Sequence, residues 1–212
     1  MHITIGTRSS KLALWQAEYV QRRLESEGVT TELIPIETKG DKVLDRSLAK
    51  IGSKGVFTQE LEDGLRDGTM DIAVHSAKDL QSEIAEDLEL IAFSEREPVN
   101  DVIIARRPLS LQSGERFVVG TSSTRRKALL RHFFPHIRTV EMRGNLQTRL
   151  RKLDEGQCDA LLLAYAGVHR MGYDDLIVDL LPEEPFVPAV VQGSIAVGGA
   201  HLLDETKKAY IR

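Results

Sequence analysis

Apolar residues along this chain recur first with the spacing of a strand, then with that of a helix, and the switch repeats many times. Residues 2–7 (His-Ile-Thr-Ile-Gly-Thr) read as a strand. Ser10 stands at an N-cap position, and Leu12, Trp15, Tyr19, Val20 and Leu24 follow at a helical period that ends at Gly28. Residues 31–37 predict a second strand, in which Pro35 indicates an edge or a bulge because it has no N–H to give to a neighbour. Residues 38–56 are polar and broken by glycines (Lys39-Gly40-Asp41 and Lys50-Ile51-Gly52-Ser53-Lys54-Gly55), which predicts a long loop of the functional kind. A helix is expected over 57–66, a strand over 70–75 and another near 88–94.

From Asp101 the alternation restarts. Strands are expected at 101–105, 117–120, 137–142 and 159–164, with helices over 123–133 and 145–154 and a short one near 166–171. Regular β–α alternation predicts an α/β architecture with mainly parallel sheets, and the restart predicts two domains with a cleft between them. In open α/β sheets ligands bind beyond the carboxyl ends of the strands. The charged motifs fall there: Thr7-Arg8 after the first strand, His75-Ser76-Ala77-Lys78-Asp79 after a third, and two arginine clusters in the second half.

Those clusters are Thr121-Ser122-Ser123-Thr124-Arg125-Arg126 and Arg143-Gly144-Asn145 with Thr148-Arg149. Between Arg116 and Lys152 ten Lys/Arg face one carboxylate, Glu141, although the whole chain carries a formal charge of -4. Positive charge concentrated in one region of an acidic chain suits a small polyanion. Arginine fits that work because its planar fork grips carboxylate or phosphate bidentately. The Ser and Thr residues stand where helix N-caps belong, so backbone N–H groups are expected to point at the same anion. A solvated helix face is the plainer alternative. Nucleic acid is not expected as a partner, since net charge is negative and no aromatics interleave with the arginines.

Length (212 residues) allows one large domain or two small ones, and the composition is that of a globular chain. The single cysteine, Cys158, excludes an internal disulfide framework and points to a reducing cytoplasm. The chain enters its first strand with no basic segment and apolar stretch before it, and no apolar run approaches a membrane span, so a cytosolic protein is expected. Metal-site spacings are absent, and neither a P-loop nor a Gly-x-Gly-x-x-Gly after the first strand is present. Lys78-Asp79, at the end of an apolar strand, is the best candidate for chemistry: a carboxylate among cations can offset developing positive charge, or act as an acid if burial raises its pKa. His75 and Cys158 read as packed residues.

Six motifs then resemble one family: Thr7-Arg8-Ser9-Ser10-Lys11-Leu12-Ala13, Lys54-Gly55-Val56-Phe57, His75-Ser76-Ala77-Lys78-Asp79, Gly120 to Arg126, Arg143-Gly144-Asn145, and Val187-Pro188-Ala189-Val190-Val191-Gln192-Gly193. In this collinear order they are similar to hydroxymethylbilane synthase (porphobilinogen deaminase). The resemblance implies two periplasmic-binding-protein-like (type II) domains, over 1–94 plus 191–212 and over 98–188, with mixed, mainly parallel sheets. It implies condensation of porphobilinogen units head to tail, with loss of ammonia, on a dipyrromethane cofactor in haem biosynthesis. Asp79, with Lys78, matches the catalytic position. Arg8, Ser10, Thr121, Ser123, Arg125, Arg126, Arg143, Gly144 and Arg149 match cofactor positions, and Arg8, Arg143, Arg149, Arg170 and Gln192 match substrate positions. Lys50, Lys54 and Phe57 match the loop over the cleft, and Gln192 also lies in the hinge motif.

Three departures accompany the match. The family's third domain, with the cysteine that anchors dipyrromethane through a thioether, has no counterpart here, and Cys158 does not match that cysteine. The expectation is therefore a monomer that binds the cofactor without a covalent bond, with a separate chain as a candidate source of the missing domain. Ala77 and Leu80-Gln81 stand where the family has Met and Val-Pro, and Val191 stands where it has a glycine. A non-catalytic two-domain binder of polycarboxylate or phosphorylated ligands is the alternative reading.

Overall fold

The computed structural model describes residues 1–42 and 57–212. These residues form two compact units: residues 1–42, 57–96 and 194–212 in the first, and Glu97–Gly193 in the second.

The first unit is built on a five-stranded sheet in the order β2-β1-β3-β10-β4. Its strands are β1 (His2–Arg8), β2 (Thr30–Ile36), β3 (Ile72–Ser76), β4 (Leu88–Phe93) and β10 (Ile195–Ala200). β1 runs parallel to β2 and β3, whereas β10 is antiparallel to both β3 and β4. β10 is buried along almost its whole length, so it reads as a continuous apolar run rather than an alternating one.

Helix α1 (Lys11–Ser26) starts where Ser10 Oγ accepts a hydrogen bond from Ala13 N at 3.4 Å, and Gly28, at φ 81°, turns the chain out of it. Its Ala17, Val20 and Leu24 pack on Ile3, Ile5, Ile72 and Val74 of the sheet. Burying each such aliphatic side chain is worth roughly 1.5–3 kcal/mol. The opposite face is covered by α3 (Gln59–Arg66), whose Leu61 and Leu65 meet Met70, Ala73 and Leu88. α2 (Lys39–Lys42) is a single turn, and α7 (Glu205–Ile211) follows β10.

The second unit repeats the plan, with sheet order β7-β6-β8-β5-β9. Here β6 (Val118–Gly120), β7 (Arg138–Val140), β8 (Ala160–Ala164) and β9 (Ile177–Leu180) stand as β1 to β4 do in the first unit. β5 (Asp101–Ala105) takes the place of β10, antiparallel to both its neighbours. Helices α4 (Thr124–Phe133), α5 (Leu146–Asp154) and α6 (Tyr165–Arg170) follow β6, β7 and β8 in turn. One face buries Ile103, Phe117, Val119, Leu130, Leu162 and Phe186; the other buries Val102, Ile104, Met142, Leu150, Leu161 and Leu163. In each sheet four strands share one direction and one is reversed, as the mixed, mainly parallel expectation requires.

Pro35 lies on β2, an edge strand, as its missing N–H demands. Lys39-Gly40-Asp41, expected as loop, belongs instead to α2. The remainder of the expected loop, with Lys50 and Lys54, lies outside the described residues.

Candidate active site

In the first unit the candidate residues collect at the carboxyl ends of β1 and β3. Arg8 is the last residue of β1, and its guanidinium carbon sits 4.4 Å from the centre of the Phe57 ring, a cation–π contact. Ser10, two residues on, caps α1. Beyond β3, Ala77–Asp79 form one 3-10 turn that presents the exposed Asp79 at its end. Arg8, Ser10, Gln16, Phe57, His75 and Asp79 all line a cavity of about 70 Å³.

Two contacts hold the base of that turn. Gln16, buried on α1, donates from Nε2 to Ser76 Oγ at 2.9 Å, and Ala77 N donates to Ser194 O at 3.0 Å. His75 is buried beside it. Burial, reinforced by the charge of Arg8, pushes its pKa down to about 4, so its ring is neutral at pH 7. Asp79, by contrast, is open to solvent.

The second unit gathers its arginines at the carboxyl ends of β6, β7 and β8. Ser123 caps α4, its Oγ accepting from Arg126 N at 3.4 Å, and the buried Thr121 braces Ser123 N through its own Oγ1 at 3.3 Å. Arg143 is buried after β7. Gly144 follows at φ 113°, a conformation open to glycine, and an added Cβ would stand 2.6 Å from a Thr148 methyl. That turn sets Asn145 as the cap of α5, its Oδ1 accepting from Thr148 N at 2.9 Å, and brings Arg149 Nε to 2.8 Å from Gly144 O. Arg170, buried on α6, donates to Gly193 O at 2.6 Å, and Gln192 donates to Val99 O at the same distance.

Arg125 and Arg126 correct the expectation of arginines with almost no acid to pair them. Both donate to Asp101, Arg125 Nη2 to Oδ2 and Arg126 Nη2 to Oδ1, each at 2.7 Å, and the carboxylate is fully buried. Burial raises the Asp101 pKa, but Arg126, Arg125 and the Gln192 hydrogen bond outweigh it and hold the group below the usual carboxylate value. Lys127 pairs with Glu141, and Arg151 with Glu155. Asp101 lies outside the 116–152 window, which is why a local charge count misses it. The signal was nonetheless present: an acid opening a run of buried aliphatic residues has to find a cation.

Among the described residues no group of three or more His, Cys, Asp and Glu could hold a metal ion, and no helix is long and apolar enough to cross a membrane. Cys158 is buried among Val118, Leu161 and Met142, and burial pushes its thiol pKa up.

Comparisons with known proteins agree on one family. The family model described as porphobilinogen deaminase, dipyromethane cofactor binding domain, matches residues 3–208. A porphobilinogen deaminase of Cytophaga hutchinsonii is 56% identical over 211 residues, 99% of this chain and 68% of that protein. One of Desulfosudis oleivorans is 54% identical over 214 residues, covering 100% of this chain and 69% of its own length. Among solved structures, the methionine-binding protein MetQ superposes with a TM-score of 0.58 at 12% identity, over 99% of this chain and 88% of its own. A periplasmic binding protein of Salmonella typhimurium with high arginine specificity gives 0.52 at 11%, over 99% and 89%. These two likenesses establish the two-domain periplasmic-binding-protein fold and nothing about ligands.

Proposed function

The chain belongs to the porphobilinogen deaminase family, and from that premise we propose that it condenses porphobilinogen head to tail, releasing ammonia, to form hydroxymethylbilane for tetrapyrrole synthesis. The observation that carries the reading is the division of charge. Guanidinium groups collect at the strand ends of the second unit, and a solvent-open carboxylate, Asp79, ends the turn after β3 in the first.

The donor set of the second unit fits dipyrromethane, whose pyrroles carry acetate and propionate. Arg125, Arg126, Arg143 and Arg149, with the caps Ser123 and Asn145 and the ends of two helices, are the chemistry of a polycarboxylate site. Asp101 and Glu141 offset part of that charge. Bound there, dipyrromethane supplies the nucleophilic pyrrole end onto which new units are joined. In the first unit Arg8 and Ser10 take substrate carboxylate, with Phe57 fixing the Arg8 plane from one face. Asp79 accepts hydrogen bonds from the substrate's pyrrole N–H and aminomethyl group. It offsets the positive charge that develops as the carbon–nitrogen bond breaks and ammonia leaves. Gln16, through Ser76, keeps that turn in place. We assign Arg170 and Gln192 to substrate binding through the backbone they brace. The cytoplasm is the compartment we propose, consistent with a lone cysteine.

The test is ammonia release and uroporphyrin formation from porphobilinogen by the purified protein, beside Asp79→Asn. An amide cannot offset the charge, so turnover should fall on the order of 10²–10⁴-fold with dipyrromethane content retained. A variant within a few-fold of wild type would remove Asp79 from the mechanism.

A further inference from the structure

Asp101 opens β5, where the chain enters the second unit, and it is fully buried. Three side chains converge on it: Arg126 Nη2 and Gln192 Nε2 on Oδ1 at 2.7 and 3.0 Å, and Arg125 Nη2 on Oδ2 at 2.7 Å. Each arginine is gripped a second time by a main-chain carbonyl, Arg126 Nη1 by Leu162 O at 3.1 Å and Arg125 Nη1 by Val187 O at 2.6 Å. A guanidinium held at two nitrogens by two fixed acceptors cannot rotate about its own axis. The two arginines differ in what they leave open. The Arg126 side chain is 8% exposed, while that of Arg125 is 26% exposed.

We propose that Asp101 is a positioning residue for the anion site: it locks Arg126 as a support and sets Arg125 at the angle from which a pyrrole carboxylate is gripped. The inference rests on the carboxylate-binding role given above to these arginines. Asp101 itself is sealed from solvent, so it acts through its two partners. Preset donors spare the ligand the cost of ordering them, and such a constellation loses affinity when its support shifts by about 1 Å. Removing the carboxylate would also leave two adjacent cations sharing a buried space, which drives the guanidinium groups apart.

The experiment compares wild type, Asp101→Glu and Asp101→Asn as full chains. Asp101→Glu keeps the counter-charge and displaces the carboxylate by one methylene, so folding is preserved while the angle changes. Three readouts are taken: thermal midpoint, affinity of the cofactor-free protein for dipyrromethane, and the split between KM and kcat for porphobilinogen. Asp101→Glu should keep its midpoint within about 5 °C and bind dipyrromethane at least about tenfold more weakly, and at limiting dipyrromethane its apparent kcat should fall with the filled fraction while KM for porphobilinogen stays nearly unchanged. Asp101→Asn should lose more of both stability and affinity. Wild-type affinity in either folded variant overturns the proposal and leaves Asp101 with folding alone. A structure of the wild-type protein filled with dipyrromethane gives a second reading that needs no variant: Asp101 should still hold both arginines, and departure of either one overturns it. Wild-type protein that neither binds dipyrromethane nor consumes porphobilinogen refutes the proposed function instead. Binding by wild type with unaltered variants refutes this inference only.

Discussion

Arg126→Ala should act first on folding, because of where its guanidinium sits. The group donates to Asp101 Oδ1 at 2.7 Å and Leu162 O at 3.1 Å, and both partners lie inside the second unit. Truncation leaves a fully buried carboxylate with Arg125 and Gln192 alone, and breaking a buried pair of this kind typically costs about 3–5 kcal/mol. Against a total stability of roughly 5–15 kcal/mol, that is a large share. Arg125→Ala should cost less, about 1.5–3 kcal/mol, because its side chain is partly open to solvent and Asp101 keeps its better-buried partner. Urea unfolding followed by far-UV circular dichroism measures both. The only tryptophan, Trp15, lies in the first unit, so its fluorescence reports that unit and serves as an internal control. A double-mutant cycle of Asp101→Asn with Arg126→Ala should give a coupling of 1–3 kcal/mol, of the size seen for residues in one network. An Arg126→Ala protein within about 1 kcal/mol of wild type, with no coupling to Asp101, would refute the buried-hub argument.

Val191 adopts φ 51°, a left-handed conformation that costs a β-branched residue roughly 1–2 kcal/mol, so Val191→Gly should raise stability by about 1 kcal/mol once glycine's own entropy is counted; a lower unfolding midpoint would contradict this. His75 has its folded pKa lowered from 6.5 to about 4, so between those values the unfolded chain binds a proton that the folded chain does not. Stability of the first unit should therefore fall as pH drops below 6.5, by on the order of 2 kcal/mol at pH 5, and the part due to His75 should vanish in His75→Gln, as read by Trp15 fluorescence in urea. The buried Cys158, its thiol pKa pushed up, should resist alkylation in the native protein and carry no dipyrromethane in a denaturing mass spectrum; a pyrrole-sized mass increment lost in Cys158→Ser would show it to be an anchor.

Periodicity in the sequence determined most of the elements. The caps Ser10, Ser123 and Asn145 begin helices where the sequence put them, and Pro35 lies on an edge, because capping and proline geometry are local effects. β9 and β10 were not legible. β9 is four residues long and β10 carries two glycines, so neither shows a period of its own, and each becomes a strand only by pairing with β5 or with β3 and β4. The motif residues Arg8, Asp79, Arg143 and Arg149 were visible as residue types following strands. What those arginines are bonded to was not. Asp101 is 24 residues from Arg125, Gln192 is 91 from Asp101, and the carbonyls of Leu162 and Val187 have no signature at all. Charge counted along the chain sees only neighbours in sequence. Insertion of the reversed strand β5 beside β8 carries a carboxylate under the arginine cluster, and that pairing exists only in the tertiary fold.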